Sequence, residues 1–214
     1  MTCVLAYKND DTVYLASDSA VTNPWGEQTR AKMPKIFQNG ELFFGICGSL
    51  RMGQILEFLY TPPNRSCAKN DLEYIISFVI ESIRDFFKEY GFSTINNNEE
   101  LGGNFFIVYR NEIYEVQSDF SVVVHDRNYA SIGSGKDLAL GALYTLENSP
   151  YVFTEDFLTI SIKAAIEFQA GVAPPIVILK CIAEETEDVE ISLTEEQWDD
   201  LFNIAKSISD EYNK

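Results

Sequence analysis

The sequence predicts an α+β fold, a four-layer sandwich in which two antiparallel sheets lie between two layers of helices. Three observations predict it. Short apolar runs come in hairpin-connected sets, helical periodicities come in pairs between them, and 46% of the 214 residues are hydrophobic. Grouped hairpins and grouped helices fit antiparallel sheets covered by helices better than a βαβ alternation. Length and apolar content suit one packed core, so residues 1–214 read as a single domain.

The elements follow in order. Cys3 to Tyr7 and Val13 to Ala16 are apolar runs separated by the turn residues Asn9, Asp10 and Asp11. Lys35 to Gln38 and Leu42 to Cys47 come next, joined at Asn39-Gly40, a two-residue hairpin signal. Arg51 to Tyr60 reads as a short helix closed by Pro62-Pro63. Behind the caps Asn70 and Asp71, the residues Leu72, Ile75, Ile76, Val79, Ile80, Ile83, Phe86 and Phe87 recur at helical spacing until Gly91. Asn96 to Asn98 and Gly102-Gly103 form a loop.

Strands return at Phe105 to Tyr109, Ile113 to Val116, Ser121 to Val124 and Tyr129 to Ile132. Helices are expected from Lys136 to Asn148 and from Thr154 to Ala170. Ile176 to Ile182 and Val189 to Ser192 read as further strands. A last helix opens at the capping-box pair Thr194 and Gln197, with Trp198, Leu201, Ile204 and Ile208 along one face.

Charge narrows the function classes. Sixteen basic against thirty-three acidic residues give a net charge of −17, which repels phosphate backbones and anionic lipid. Nucleic acid and membrane are therefore not expected partners. The acids gather at Glu184 to Glu190 and again at Glu195 to Asp200, as on a solvated face. No stretch approaches the roughly 18 apolar residues of a membrane helix, and no secretory signal is expected, so the reading is cytoplasmic. Cys3, Cys47, Cys67 and Cys181 are scattered without a C-x-x-C pair, and His125 is the only histidine. A zinc site has no support, no cofactor is expected, and any histidine-dependent triad would rest on His125 alone.

The chemistry lies elsewhere. Thr2 becomes the first residue if Met1 is removed, and a terminal threonine carries its own base: the free amine, with pKa about 7.7–8.0, beside the hydroxyl. A Met-Thr opening is common and says little alone. Asp18 ends the second strand, where the first hairpin returns the chain towards Thr2. It serves there as a turn former or as a carboxylate orienting a cation. Lys35 begins the third strand with apolar Ile36 and Phe37 behind it; a lysine there can tune a hydroxyl, and Lys32 is its competitor. Gly45 to Ser49, at a strand end, offers backbone N–H groups to an oxyanion through Gly48. Ser131 to Gly135 joins a strand to a helix but is no phosphate loop, since Ala130 and Asp137 stand where glycine and Ser or Thr are required.

Taken together, these segments resemble the proteasome β-subunit family, including the bacterial protease HslV. Ala16-Ser17-Asp18-Ser19 is similar to the family's second-strand segment, at matching distance from the threonine. Lys35-Ile36, Gly45 to Ser49 and Ile132-Gly133-Ser134-Gly135 are similar to its lysine, oxyanion and serine segments. The resemblance implies an N-terminal nucleophile (Ntn) hydrolase fold and a threonine-type peptide hydrolase. Thr2 would be the nucleophile, with Asp18, Lys35, Ser134 and Gly48 catalytic, Thr22 holding the substrate backbone, and Ile46 and Cys47 lining its pocket. It further implies peptide or unfolded-protein substrates, a homo-oligomer with a ring possible, and an unfoldase partner as conceivable. Two departures stand out. One extra residue separates Asp18 from Lys35, and Gly171-Val172-Ala173-Pro174-Pro175 lacks the aspartate common there in active members, leaving Ser134 and backbone carbonyls to hold the amine. The alternatives are an Ntn amidase acting on a small molecule and a catalytically degenerate assembly subunit.

Overall fold

The computed structural model describes residues 1–23, 25–65, 68–96, 99–150 and 155–182, all within one compact unit. The strand expected at Val189 to Ser192 and the helix expected from Thr194 lie outside the described residues.

The chain opens as expected with a hairpin. Strands β1 (Val4–Asn9) and β2 (Thr12–Ser17) pair antiparallel from Val4↔Ser17 to Asn9↔Thr12, which leaves Asp10 and Asp11 as the turn. A small hairpin of β3 (Ala20–Thr22) and β4 (Gln28–Arg30) follows. It escapes a reading of periodicity because each strand has three residues and β4 is polar and exposed. Next come β5 (Ile36–Asn39) and β6 (Leu42–Ile46). Asn39 pairs with Leu42, so the turn is Gly40-Glu41, one residue later than expected.

Helix α1 (Leu50–Phe58) is capped by Ser49, whose hydroxyl accepts from the Met52 N–H. The long helix expected after Asn70 is not uniform: α2 (Asp71–Tyr74) runs into a π-helical stretch, Ile75–Ile80, and then α3 (Glu81–Glu89). Asn70 caps it as expected, accepting from the Glu73 N–H at 2.9 Å. The wider π turn resets the apolar face. Ile75, Val79, Ile80, Ile83 and Phe87 are buried, whereas Leu72 and Ile76, placed on the same stripe by periodicity, are exposed. Around the expected loop, β7 (Thr94–Asn96) pairs with β8 (Glu99–Leu101), so Asn96 belongs to a strand, while Gly102 and Gly103 lie outside one as expected.

The second half follows the sequence closely: β9 (Phe105–Tyr109), β10 (Glu112–Val116), β11 (Val122–Val124), β12 (Tyr129–Ile132), α4 (Lys136–Glu147), α5 (Glu155–Phe168) and β13 (Val177–Cys181). One sheet has the order β12-β1-β2-β13 and the other β11-β10-β9-β6-β5, with every pairing antiparallel.

Side-chain alternation sorts the core. Along β1, Val4 and Ala6 join an apolar cluster with Phe43, Phe106 and Val108 of the other sheet. Leu5 and Tyr7 point the opposite way, into a cluster with Leu143 of α4 and Leu158 and Ile162 of α5. Phe44 and Ile107 pack with Met52, Ile55, Ile83 and Phe87. Each such fully buried side chain contributes about 1.5–3 kcal/mol, and together they fix the strand ends that carry the polar residues. No helix among the described residues is long and apolar enough to cross a membrane.

Candidate active site

Because Val4 pairs with Ser17, the residues just before β1 meet those just after β2. The Asp18 N–H donates to the Cys3 carbonyl at 3.2 Å, and the Cys3 N–H donates to Asp18 Oδ1 at 2.9 Å. The same oxygen accepts from Lys35 Nζ at 2.8 Å. Asp18 Oδ2 accepts from the Ala20 N–H at 3.0 Å and the Ala173 N–H at 3.3 Å. A fully buried carboxylate thus meets four donors, which a turn former at the surface would not need. Lys35 is buried just ahead of β5, and its carbonyl accepts from the Ile46 N–H at 2.8 Å, tying it to the end of β6. Burial pushes the Lys35 ammonium below its ordinary value, while the hydrogen bond and charge of Asp18 pull it back up. Its competitor Lys32 is exposed.

Thr2 is buried at this junction. Its N–H donates to Ser134 Oγ at 3.2 Å, the Ser134 hydroxyl returns a contact to the Thr2 carbonyl at 3.4 Å, and the Gly135 N–H donates to that carbonyl at 3.1 Å. Gly133 allows this approach. Its φ is +94°, and a Cβ there would stand 2.3 Å from the Thr2 carbonyl oxygen. The Thr2 hydroxyl donates to the Met1 carbonyl at 2.7 Å. Met1 in turn lies against Gly171, where a Cβ would come within 2.6 Å of its Cε, and Gln169 Nε2 approaches its Sδ at 3.8 Å.

Thr2, Thr22, Lys35, Ile46, Cys47 and Gly48 line one pocket, with Met1 at its wall. The residues singled out in the sequence are therefore brought together: six border the pocket, and Asp18 and Ser134 bond to its members. Gly48 has a φ of +86° with open space around the missing Cβ, so it presents bare backbone to the pocket. Thr22 Oγ1 is buried without a hydrogen-bond partner among the described residues. Burial pushes the Cys47 thiol up to about 11 and the Cys3 thiol to about 12, so neither competes as a thiolate nucleophile near neutral pH. Cys67 lies outside the described residues. His125 takes no part: its ring meets Glu115 at 2.7 Å in a separate cleft.

Two contributors carry no side-chain signal. The carboxylate-free segment 171–175 supplies a backbone amide to Asp18 through Ala173, and the Ala173 carbonyl accepts from the Ser19 N–H at 3.1 Å. Gly171 gives Met1 its place. Nothing in the residue types of that segment announces either contact.

No family model matches the chain, and no curated protein matches it. Solved structures do. The Thiobacillus denitrificans protein BPH, in complex with epoxomicin, is similar with a TM-score of 0.70 and 21% identity over 85% of this chain and 99% of that one. Eukaryotic HslV from Trypanosoma brucei has a TM-score of 0.58 and 17% identity, covering 83% of this chain and 98% of its own. Anbu from a Hyphomicrobium strain has a TM-score of 0.59 and 16% identity, covering 100% and 97%. The chain thus shares the Ntn-type fold of these proteasome-like proteins.

Proposed function

We propose that Thr2, freed of Met1, is the nucleophile of a threonine-type peptide hydrolase. One observation carries the reading: Asp18 binds both Lys35 Nζ and the Cys3 N–H, joining the lysine to the residue after Thr2 beside a shared pocket. In the reaction the Thr2 oxygen attacks the peptide carbonyl, and its proton passes to the free Thr2 amine. Lys35 and Asp18 stabilise charge near the oxygen, and the Gly48 amide stabilises the oxyanion. Collapse breaks the C–N bond, the leaving amine takes the proton, and water then hydrolyses the threonine ester. Ser134 holds the Thr2 nitrogen.

Finer readings belong to the same proposal. The three apolar clusters stack as a four-layer αββα sandwich, and residues 1–214 form one domain. The protein works as a cytoplasmic homo-oligomer, a ring being the natural form for unfolded-protein substrates delivered by an unfoldase. Those expectations are supported by likeness to HslV and BPH. The fit of Met1 against Gly171 favours a second reading, a degenerate subunit that keeps Met1.

Intact mass before and after epoxomicin treatment decides between them. An epoxyketone needs a hydroxyl and a free amine on one residue to close its two-bond adduct. Loss of Met1 and gain of one inhibitor mass, abolished by Thr2→Ala, is the expected result. A native protein that retains Met1 and takes up no inhibitor would sink the hydrolase reading.

A further inference from the structure

The Met1 side chain lies flat across Gly171. A Cβ on that glycine would stand 2.9 Å from Met1 Cβ, 3.0 Å from its Sδ and 2.6 Å from its Cε, so the side chain follows one bare stretch of backbone. Gln169 Nε2 reaches the Sδ at 3.8 Å. This seat is built by the chain around it. Gly171 has a φ of +83°, a conformation that suits glycine. The Val172 N–H donates to the Gln169 carbonyl at 3.2 Å, and the Val172 side chain is buried in the cluster that holds Leu5, Leu158 and Ile162. The Ala173 N–H is held by Asp18. Hydrolysis of the Met1–Thr2 bond removes none of these contacts.

By the hydrolase reading, on which this inference rests, the departing nitrogen takes its proton from the Thr2 ammonium. The C–N bond breaks and the acyl group stays on the Thr2 oxygen. The departing nitrogen must therefore come within hydrogen-bond reach of the Thr2 nitrogen. Ser134 Oγ holds that nitrogen from one direction at 3.2 Å, and Met1 is bonded to it from another. The acyl residue belongs in the pocket that Thr22, Cys47 and Gly48 line. The ground Met1 covers is thus the ground left for the residue after the cut. We infer that Gly171 and Gln169 form the subsite for that residue, and that it takes a long, uncharged, unbranched side chain of the methionine type. Alanine is too short to span the seat, and the stiff χ1 of Val, Ile and Thr restricts the flat path that Met1 follows.

The test uses the full protein with Thr2 as its first residue, confirmed by mass, and a mixed peptide library whose cut sites are read by mass spectrometry. Epoxyketone labelling of the same protein reports the nucleophile separately. Corrected for library composition, cuts before Met should outnumber cuts before Ala about tenfold. Gly171→Ala puts a Cβ in the seat and should erase that ratio, which is taken within one protein so that a general loss of rate cancels. Gln169→Glu, at a half-buried position just past α5, should raise cuts before Lys about threefold relative to cuts before Met. Cleavage with no preference for Met, a preference that survives both substitutions, or labelling without peptide cleavage overturns the subsite and leaves Thr2 standing as nucleophile. A protein with a confirmed free Thr2 that neither labels nor cleaves overturns both.

Discussion

Lys35 and Asp18 meet at 2.8 Å with side chains only 4% and 0% exposed, so each is the other's substitute for water. Removing one partner leaves a buried charge without its counter-ion. Lys35→Met and Asp18→Asn should each cost about 3–5 kcal/mol of unfolding free energy. The double variant should cost less than the sum by more than about 1 kcal/mol. Urea titration of all four proteins measures this; additive losses would show that the pair is not coupled.

The same pair sets an alkaline pH dependence. Burial lowers the Lys35 ammonium in the folded chain, so below the unfolded value of about 10.4 a window exists in which the unfolded chain holds a proton that the folded chain has shed. Stability from this group therefore rises with pH across that window and falls as pH drops back through the folded value. Urea midpoints from pH 8 upward should show a positive contribution that disappears in Lys35→Met. An unchanged difference between the two proteins at every pH would refute it.

Gly133→Ala tests the approach of Thr2 to the serine segment. A Cβ 2.3 Å from the Thr2 carbonyl oxygen, at a φ of +94°, forces Thr2 away from Ser134. Misplacing a reacting group by about 1 Å costs about 100-fold in rate. Epoxyketone labelling of processed protein should slow by about that factor, while Gly141→Ala, with open space around its Cβ, leaves it unchanged.

Cys47 borders the pocket but should be a poor nucleophile. With its thiol pushed up to about 11, alkylation should be slow at pH 7 and speed up about tenfold per pH unit between 8 and 10. Cys47→Ser should leave peptide hydrolysis within about threefold of the parent. Rapid alkylation at neutral pH, read by peptide mapping, would contradict the assigned burial.

Much of this was readable from residue order. Uninterrupted apolar runs at Cys3 to Tyr7 and Phe105 to Tyr109 report strands buried on both faces; the second strand matches to the residue, and the first starts one residue later and runs on to Asn9. Asp18 and Lys35 were visible because a charge beside an apolar run must be partnered if it is buried. The π-helical stretch Ile75–Ile80 was not visible, since periodicity assumes one helical pitch. The β7–β8 hairpin was hidden because its strands have three residues each. Ala173 was hidden for a different reason: it acts through a backbone N–H that every residue except proline has.

Met1 against Gly171 has a consequence in time. If Thr2 is the nucleophile, its hydroxyl is first spent on the Met1 carbonyl and its nitrogen is locked in an amide. The protein then has a latent phase that ends only when one peptide bond is hydrolysed. That event is not reversed under cellular conditions. Hydrolysis of the single Met1–Thr2 bond would therefore do two things at once, releasing the hydroxyl from its acceptor and creating the amine that serves as its base.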